Sequence, residues 1–186
     1  MSLNCQIMLK MRNFKVIVIG LLLMYLCVYC LPDGRHQIPV LGASAKDWNP
    51  AAFWYYPWGR SGVHKGIDIF AKSGTSVVAT TRGIVVYVGN IEMGGNVVLV
   101  LGAKWRFHYY AHLSTITAHK GQWLSVGETL GAVGTSGNAQ GKPPHLHFAI
   151  YSLFPTLNQF DPNARQAWRK LFYINPNDFL LTTDNS

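Results

Sequence analysis

The chain has few acidic residues, and no cysteine where a folded domain would sit. Its 186 residues carry eight Asp and Glu against sixteen Lys and Arg, and no acid precedes Asp33. All three cysteines, Cys5, Cys27 and Cys30, fall before Leu31. The remainder therefore folds without a disulfide, even in an oxidising compartment. Cys27 and Cys30 have the spacing of a redox or metal pair, but they lie in an apolar run and read as residues of that run. No basic-aromatic nucleic-acid motif accompanies the net charge of +8, which excludes nucleic acid as the partner. No lysine stands at a hairpin tip in an Asp-Lys-Ala or Met-Lys-Met setting, which excludes a swinging-arm carrier domain.

What is present is apolar. Hydrophobic residues make up 49% of the chain and charged ones 13%, enough to bury one sizeable core beside an appendage. The appendage is N-terminal: Lys10, Arg12 and Lys15 precede the uncharged run Val16 to Leu31. A basic start followed by an apolar stretch is the pattern of an export signal. The run is slightly shorter than the roughly 20 residues of a full span. Tyr29, Cys30 and Leu31 occupy the positions where small residues would mark cleavage, so residues 1–31 are expected to be a signal peptide or an uncleaved signal-anchor. The expected location is the periplasm or cell envelope, with membrane anchoring through this segment where it stays uncleaved. Residues 32–50, polar with Pro and Gly, read as a linker, 51–181 as the domain, and 182–186 as a frayed tail. A basic surface outside the cytoplasm suits an anionic wall or anionic lipids.

From Gly66 to Tyr151 short strands alternate with Gly-rich turns, the signature of an all-β domain. Candidate strands are 76–80, 83–88, 97–101, 106–112, 122–124, 129–133 and 146–151. A loose internal echo relates the segment from Gly74 to Val85 to that from Gly121 to Val133. Asp161-Pro162 offers a cap for a short helix over 164–172, with Ala164, Ala167, Trp168 and Leu171 turned inward. Ile174-Asn175-Pro176 and Phe179-Leu180 read as a closing strap.

Histidines carry the chemistry. In the run from Lys142 to Tyr151, strand alternation places His145, His147, Ala149 and Tyr151 on one face and Leu146, Phe148 and Ile150 on the other. Neighbouring neutral imidazoles suit a transition metal. His64 and Asp68, four apart around Gly66, share a face in an extended segment. One Asp with two His makes three protein ligands, the number that leaves zinc a fourth position for water. In Phe107–Leu113 alternation places His108, Tyr110 and His112 together. The dense aromatic group Phe53, Trp54, Tyr55, Tyr56 and Trp58 either caps the core or lends Trp58 and a tyrosine to a groove beside His64.

His64-x-x-x-Asp68, Gly95-Asn96-Val97-Val98, Tyr110-Ala111-His112-Leu113, Val133-Gly134-Thr135-Ser136-Gly137 and His145-Leu146-His147-Phe148 follow one another in the order of a known family. Over about residues 58–151 the chain resembles the lysostaphin-type, or LytM-like, zinc endopeptidases of bacterial cell walls. The resemblance implies antiparallel β-sheets of the duplicated hybrid motif, with the apolar helix before them and a short helix after. It implies one Zn2+ held by His64, Asp68 and His147, with His112 and His145 as unligated catalytic residues. The implied substrate is the peptide cross-link of peptidoglycan, with a D-alanyl–diaminopimelate bond favoured over glycine bridges. The alternative is a non-catalytic LytM-like domain that binds the wall or regulates an amidase. Where some members carry an oxyanion-holding tyrosine, six residues before the first ligand, this chain has Trp58, with Tyr55 and Tyr56 nearby. His36 and His119 read as surface residues and His108 as groove or core-edge.

Overall fold

Alternation in the last long strand organises the domain. In His145–Ser152, Leu146, Phe148 and Ile150 are fully buried, while His147 and Tyr151 remain partly exposed. Burial of each such apolar side chain contributes roughly 2 kcal/mol. The computed structural model describes residues 3–30 and 34–182. It divides the chain into two units, 1–32 and 33–186. The expected tail beyond Thr182, and residues 31–33 at the expected signal–linker junction, lie outside the described residues.

The first unit is helix α1 (Leu3–Cys30), the expected N-terminal apolar helix. Among the described residues no helix is long and apolar enough to cross a membrane. Three cations, Lys10, Arg12 and Lys15, lie within α1 and shorten its uncharged part.

The second unit is all-β apart from short helical turns, as expected. Its strands are β1 (Ile67–Phe70), β2 (Ser76–Val78), β3 (Gly83–Ile91), β4 (Gly95–Leu101), β5 (Arg106–Leu113), β6 (Thr115–Ile116), β7 (Trp123–Leu124), β8 (Thr129–Ala132), β9 (His145–Ser152) and β10 (Tyr173–Ile174). A seven-stranded sheet runs β1-β9-β5-β4-β3-β7, with β10 also pairing β9, and a three-stranded sheet runs β2-β8-β6. Every pairing is antiparallel. Val77 and Leu130 of the small sheet share one core with Val100, Leu146 and Phe148 of the large one.

Six expectations are corrected, His108 last among them. The segment read as a linker supplies Val40 and Trp48 to the core; Val40 bridges Val77, and the Trp48 indole N–H donates to Asn177 Oδ1 at 3.0 Å. Its polar composition hides two apolar anchors. The expected helix over 164–172 shrinks to α2 (Ala167–Lys170), because Asp161 accepts from the Asn163 N–H and Gln166 takes a left-handed φ of 55. Trp168, expected inward, is exposed, with the Arg169 guanidinium 5.2 Å from its ring centre. The closing strap is helix α3 (Pro176–Leu181): Asn175 caps it, proline takes its first turn, and Phe179 and Leu180 are buried. His36 is half-buried, its ring 4.7 Å from that of Phe179, whereas His119 is exposed as expected.

His108 is not at the core's edge but inside it, 1% exposed, between Phe148 and Phe179, with Nδ1 unpaired. Burial, then the charges of Arg106 and His36, push its imidazole down to about 3. Between that value and the ordinary 6.5 the unfolded chain binds the extra proton, so stability is expected to fall as pH drops through this window. The slope from one such group is at most about 1.4 kcal/mol per pH unit. Denaturant titrations at pH 7 and pH 5 should show this loss, and His108→Leu should reduce it; an unchanged pH dependence in that variant would contradict the assignment.

Candidate active site

Three strands bring the site together by register. β1 and β9 place Asp68 directly opposite His147, and β5 places Ala111 opposite His147 from the other side. Residues opposite one another across antiparallel strands share a face. Alternation adds Tyr109 and Tyr151 to that face, while Tyr110, opposite Phe148, is buried in the core. His64 precedes β1 in a loop and reaches the same point. Gly66 permits this approach: a Cβ there would strike the Phe148 carbonyl and come within 3.0 Å of His147 Cε1. Gly66→Ala is therefore expected to force β1 from β9 and open the cluster. A lower melting temperature together with weaker metal binding would be the result, and wild-type values for both would contradict it.

His112 does not follow the alternation expected of it. His108 and Tyr110 face the core, and a regular strand would send His112 there too. Tyr110 opposes Val98 and Leu113 opposes Asn96, so Ala111 and His112 together face the single residue Val97. This bulge gives His112 a φ of 65 and turns its ring to the site. Left-handed backbone costs a non-glycine residue roughly 1 kcal/mol. Two hydrogen bonds hold it: the His112 backbone N–H donates to the Gly94 carbonyl at 2.8 Å, and ring Nδ1 meets the Ser136 carbonyl at 2.9 Å. Ser136 is itself fixed, its hydroxyl donating to the Leu113 carbonyl at 2.8 Å and accepting from the Asn96 N–H at 2.9 Å. Gly95, at φ 62, lets the strand turn pass against Ser136 and Gly137 where a Cβ would collide. The Gly95-Asn96 and Ser136-Gly137 motifs thus position His112.

The candidate metal ligands converge. His64 Nε2 lies 3.2 Å from Asp68 Oδ1 and 3.1 Å from His147 Nδ1, which is 2.8 Å from the same oxygen. Tetrahedral zinc, with ligands at about 2.0–2.1 Å, spaces ligand atoms about 3.3 Å apart, so the triangle fits the ion. The Ala52 carbonyl, 3.1 Å from His64 Nδ1, accepts a hydrogen bond from that nitrogen's N–H and so leaves a lone pair on Nε2 facing the carboxylate. A cation resolves that opposition. Burial alone would raise the Asp68 carboxyl, but the hydrogen bond from His147 counters it, and the carboxyl lies well below the usual carboxylate range. Burial lowers His147, partly offset by Asp68. The pair rests as a carboxylate beside a neutral imidazole, the protonation state of metal ligands.

His145 and His112 flank the triangle, their ring centres 5.0 Å apart, with His112 6.0 Å from His147. His145 Nδ1 meets the Pro143 carbonyl at 2.8 Å, so both unligated histidines are tied back through Nδ1 and keep Nε2 for other work. Burial, then His147 and His145, lower His112 to about 4, leaving it neutral, with its Nε2 lone pair free of a proton, at pH 7.

All five lie in one cleft of about 470 Å³. Trp58 stacks on His64 at 4.1 Å and lines the cleft, while Trp54 is buried with its indole N–H donating to the Arg165 carbonyl at 2.8 Å. Core-capping and groove-lining roles are thus divided between the two. The tyrosines of the cleft are Tyr109 and Tyr151, not Tyr55 or Tyr56, which are exposed outside it. Burial, then Tyr87, raises Tyr109 to about 12, and burial also raises Tyr151, so both remain phenols able to donate. Strand alternation already places Tyr151 on the face of His147; sequence reasoning missed Tyr109, which counting alternation outward from Ala111, rather than from His112, would have found.

In this antiparallel β domain, a His-Asp-His triangle able to hold a metal ion and two further histidines share one cleft. Residues 62–162 match the family described as peptidase family M23, and the chain belongs to that family. It is similar to the L-Ala–D-Glu endopeptidase of Bacillus subtilis, 32% identical over 75% of this chain and 46% of that protein. It also resembles the murein hydrolase activator NlpD of Salmonella typhimurium, 32% identical over 54% of this chain and 29% of that one. The chain spans less than half the length of these curated relatives. Among solved structures, the catalytic domain of lysostaphin from Staphylococcus simulans superposes with a TM-score of 0.58 at 26% identity, covering 74% of this chain and 96% of that domain.

Proposed function

We propose that the protein is a zinc-dependent endopeptidase that hydrolyses peptide cross-links of bacterial peptidoglycan. The observation that carries the reading is the donor triangle of His64, Asp68 and His147 beside two histidines whose Nδ1 atoms are both tied to carbonyls. One zinc ion bound there would act as a Lewis acid on the scissile carbonyl and lower the pKa of water to about 7. His112 and His145 share the remaining proton work: an Nε2 lone pair accepts the proton of the attacking water and returns it to the leaving amine. Phenol hydroxyls of Tyr109 and Tyr151 are candidates to donate to the oxygen that gains charge, the task for which Trp58 lacks a hydroxyl. An apolar N-terminal segment behind a basic start supports a location in the periplasm or cell envelope, with α1 as signal or anchor.

The second reading is a wall-binding or amidase-regulating domain without catalysis, favoured by the similarity to a murein hydrolase activator. A complete ligand set and both unligated histidines favour the enzyme. Zinc content of the purified protein separates the two: about one zinc per chain, with cleavage of a cross-linked muropeptide lost on chelation, supports the enzyme. A metal-free protein that stimulates an amidase would overturn it.

A further inference from the structure

Three cations line the cleft, and they are not equivalent. Arg60 is neutralised, its Nη1 2.6 Å from Glu92 Oε1. Lys65 and Lys142 have no carboxylate partner within ion-pair distance among the described residues, and Asp68 is the only acid on the cleft wall. Asp68 is committed to the donor triangle, so it does not offset them.

Lys65 is held in place. Its ammonium donates to the Ser61 carbonyl at 3.1 Å, and the same carbonyl accepts from Gln166 Nε2 at 3.0 Å. Gln166 Oε1 in turn accepts from Arg169 Nη1 at 3.4 Å, which brings a further positive charge behind Lys65. An ammonium carries three N–H donors, and Ser61 uses one. Lys142 comes from a different loop, directly before the Pro-Pro pair that leads to His145. A cleft with fixed positive charge from two loops beside the reacting centre concentrates and orients anions.

We infer that Lys65 and Lys142 form a carboxylate-reading subsite, so that the preferred substrate carries a free carboxylate on a residue flanking the scissile amide. The inference rests on the peptidase reading and deepens it. A neutral glycine bridge offers these cations nothing, whereas stem peptides with an unamidated acidic or diamino-acid residue next to the bond supply the missing negative charge. A charge-assisted hydrogen bond distinguishes the two by about tenfold or more.

The test uses the full-length, zinc-loaded protein and two synthetic cross-linked peptides that differ only in a carboxylate or a carboxamide beside the scissile bond. Wild-type kcat/KM should favour the carboxylate by about tenfold or more, less at high salt. The ratio should collapse in the Lys65→Met, Lys142→Met double variant and survive in Lys65→Arg, Lys142→Arg. Equal cleavage of both peptides by wild type, or an unchanged ratio in the methionine variant, would overturn the subsite. Calorimetric binding of both peptides to the zinc-loaded His112→Asn protein needs no turnover. If neither peptide is cleaved by wild type yet binding still prefers the carboxylate, the peptidase reading falls and the subsite stands; binding without preference removes the subsite.

Discussion

Replacement of His112 or His145 is expected to lower peptide cleavage by about 10²–10⁴-fold while zinc stays bound, the usual worth of a positioned acid or base. Neither residue belongs to the donor triangle, so metal content should hold near one per chain. His112 needs a careful substitution, because alanine tolerates its φ of 65 poorly. Asparagine tolerates that backbone better and removes the imidazole, which separates lost chemistry from lost folding. His145 lies in regular strand and can be changed to alanine directly. If the two histidines act as one unit, the double variant will be little worse than either single one. Wild-type rates in either variant at full zinc occupancy would remove that residue from the mechanism.

Removal of a ligand should act on the metal first. Asp68→Asn keeps the volume but takes away the only negative charge among the three donors. Loss of a partner that merely orients a ligand costs 10–100-fold in metal affinity, so loss of the ligand itself is expected to exceed about 100-fold. His147→Ala should do the same. Zinc that binds only the folded chain raises the melting temperature, by the equivalent of about 2.7 kcal/mol at a hundred times Kd. The shift on adding zinc to stripped protein should be clear for wild type and nearly absent for Asp68→Asn. Retained zinc affinity in both ligand variants would place the metal elsewhere.

Most of the site could be read from the chain because its residues sit where local periodicity is reliable. His147 shares a face with Tyr151, and Leu146, Phe148 and Ile150 fill the core, as a regular strand requires. Asp68 meets His147 because β1 and β9 pair in that register, which no local pattern encodes; the expected grouping rested on motif order. His112 is the instructive failure. Its role was expected, yet the alternation argument attached to it was wrong, since a bulge reverses the face between Tyr110 and His112. The same error concealed Tyr109. Long-range hydrogen bonds defeated the other local readings. Gln166 leaves helical geometry to reach Ser61, and Trp48 crosses to Asn177, so one helix shortened and one linker joined the core. Asn175-Pro176 carried a helix-start signal, a cap followed by proline, that the strap reading passed over.

The central claim is metal-dependent opening of peptide cross-links, and mass analysis of muropeptides released from intact sacculi tests it most directly. Zinc-loaded protein should convert cross-linked dimers to monomers, adding one water per bond cut, and chelated protein should release none. Dimers left intact at full zinc occupancy, or the same products after chelation, would contradict the account.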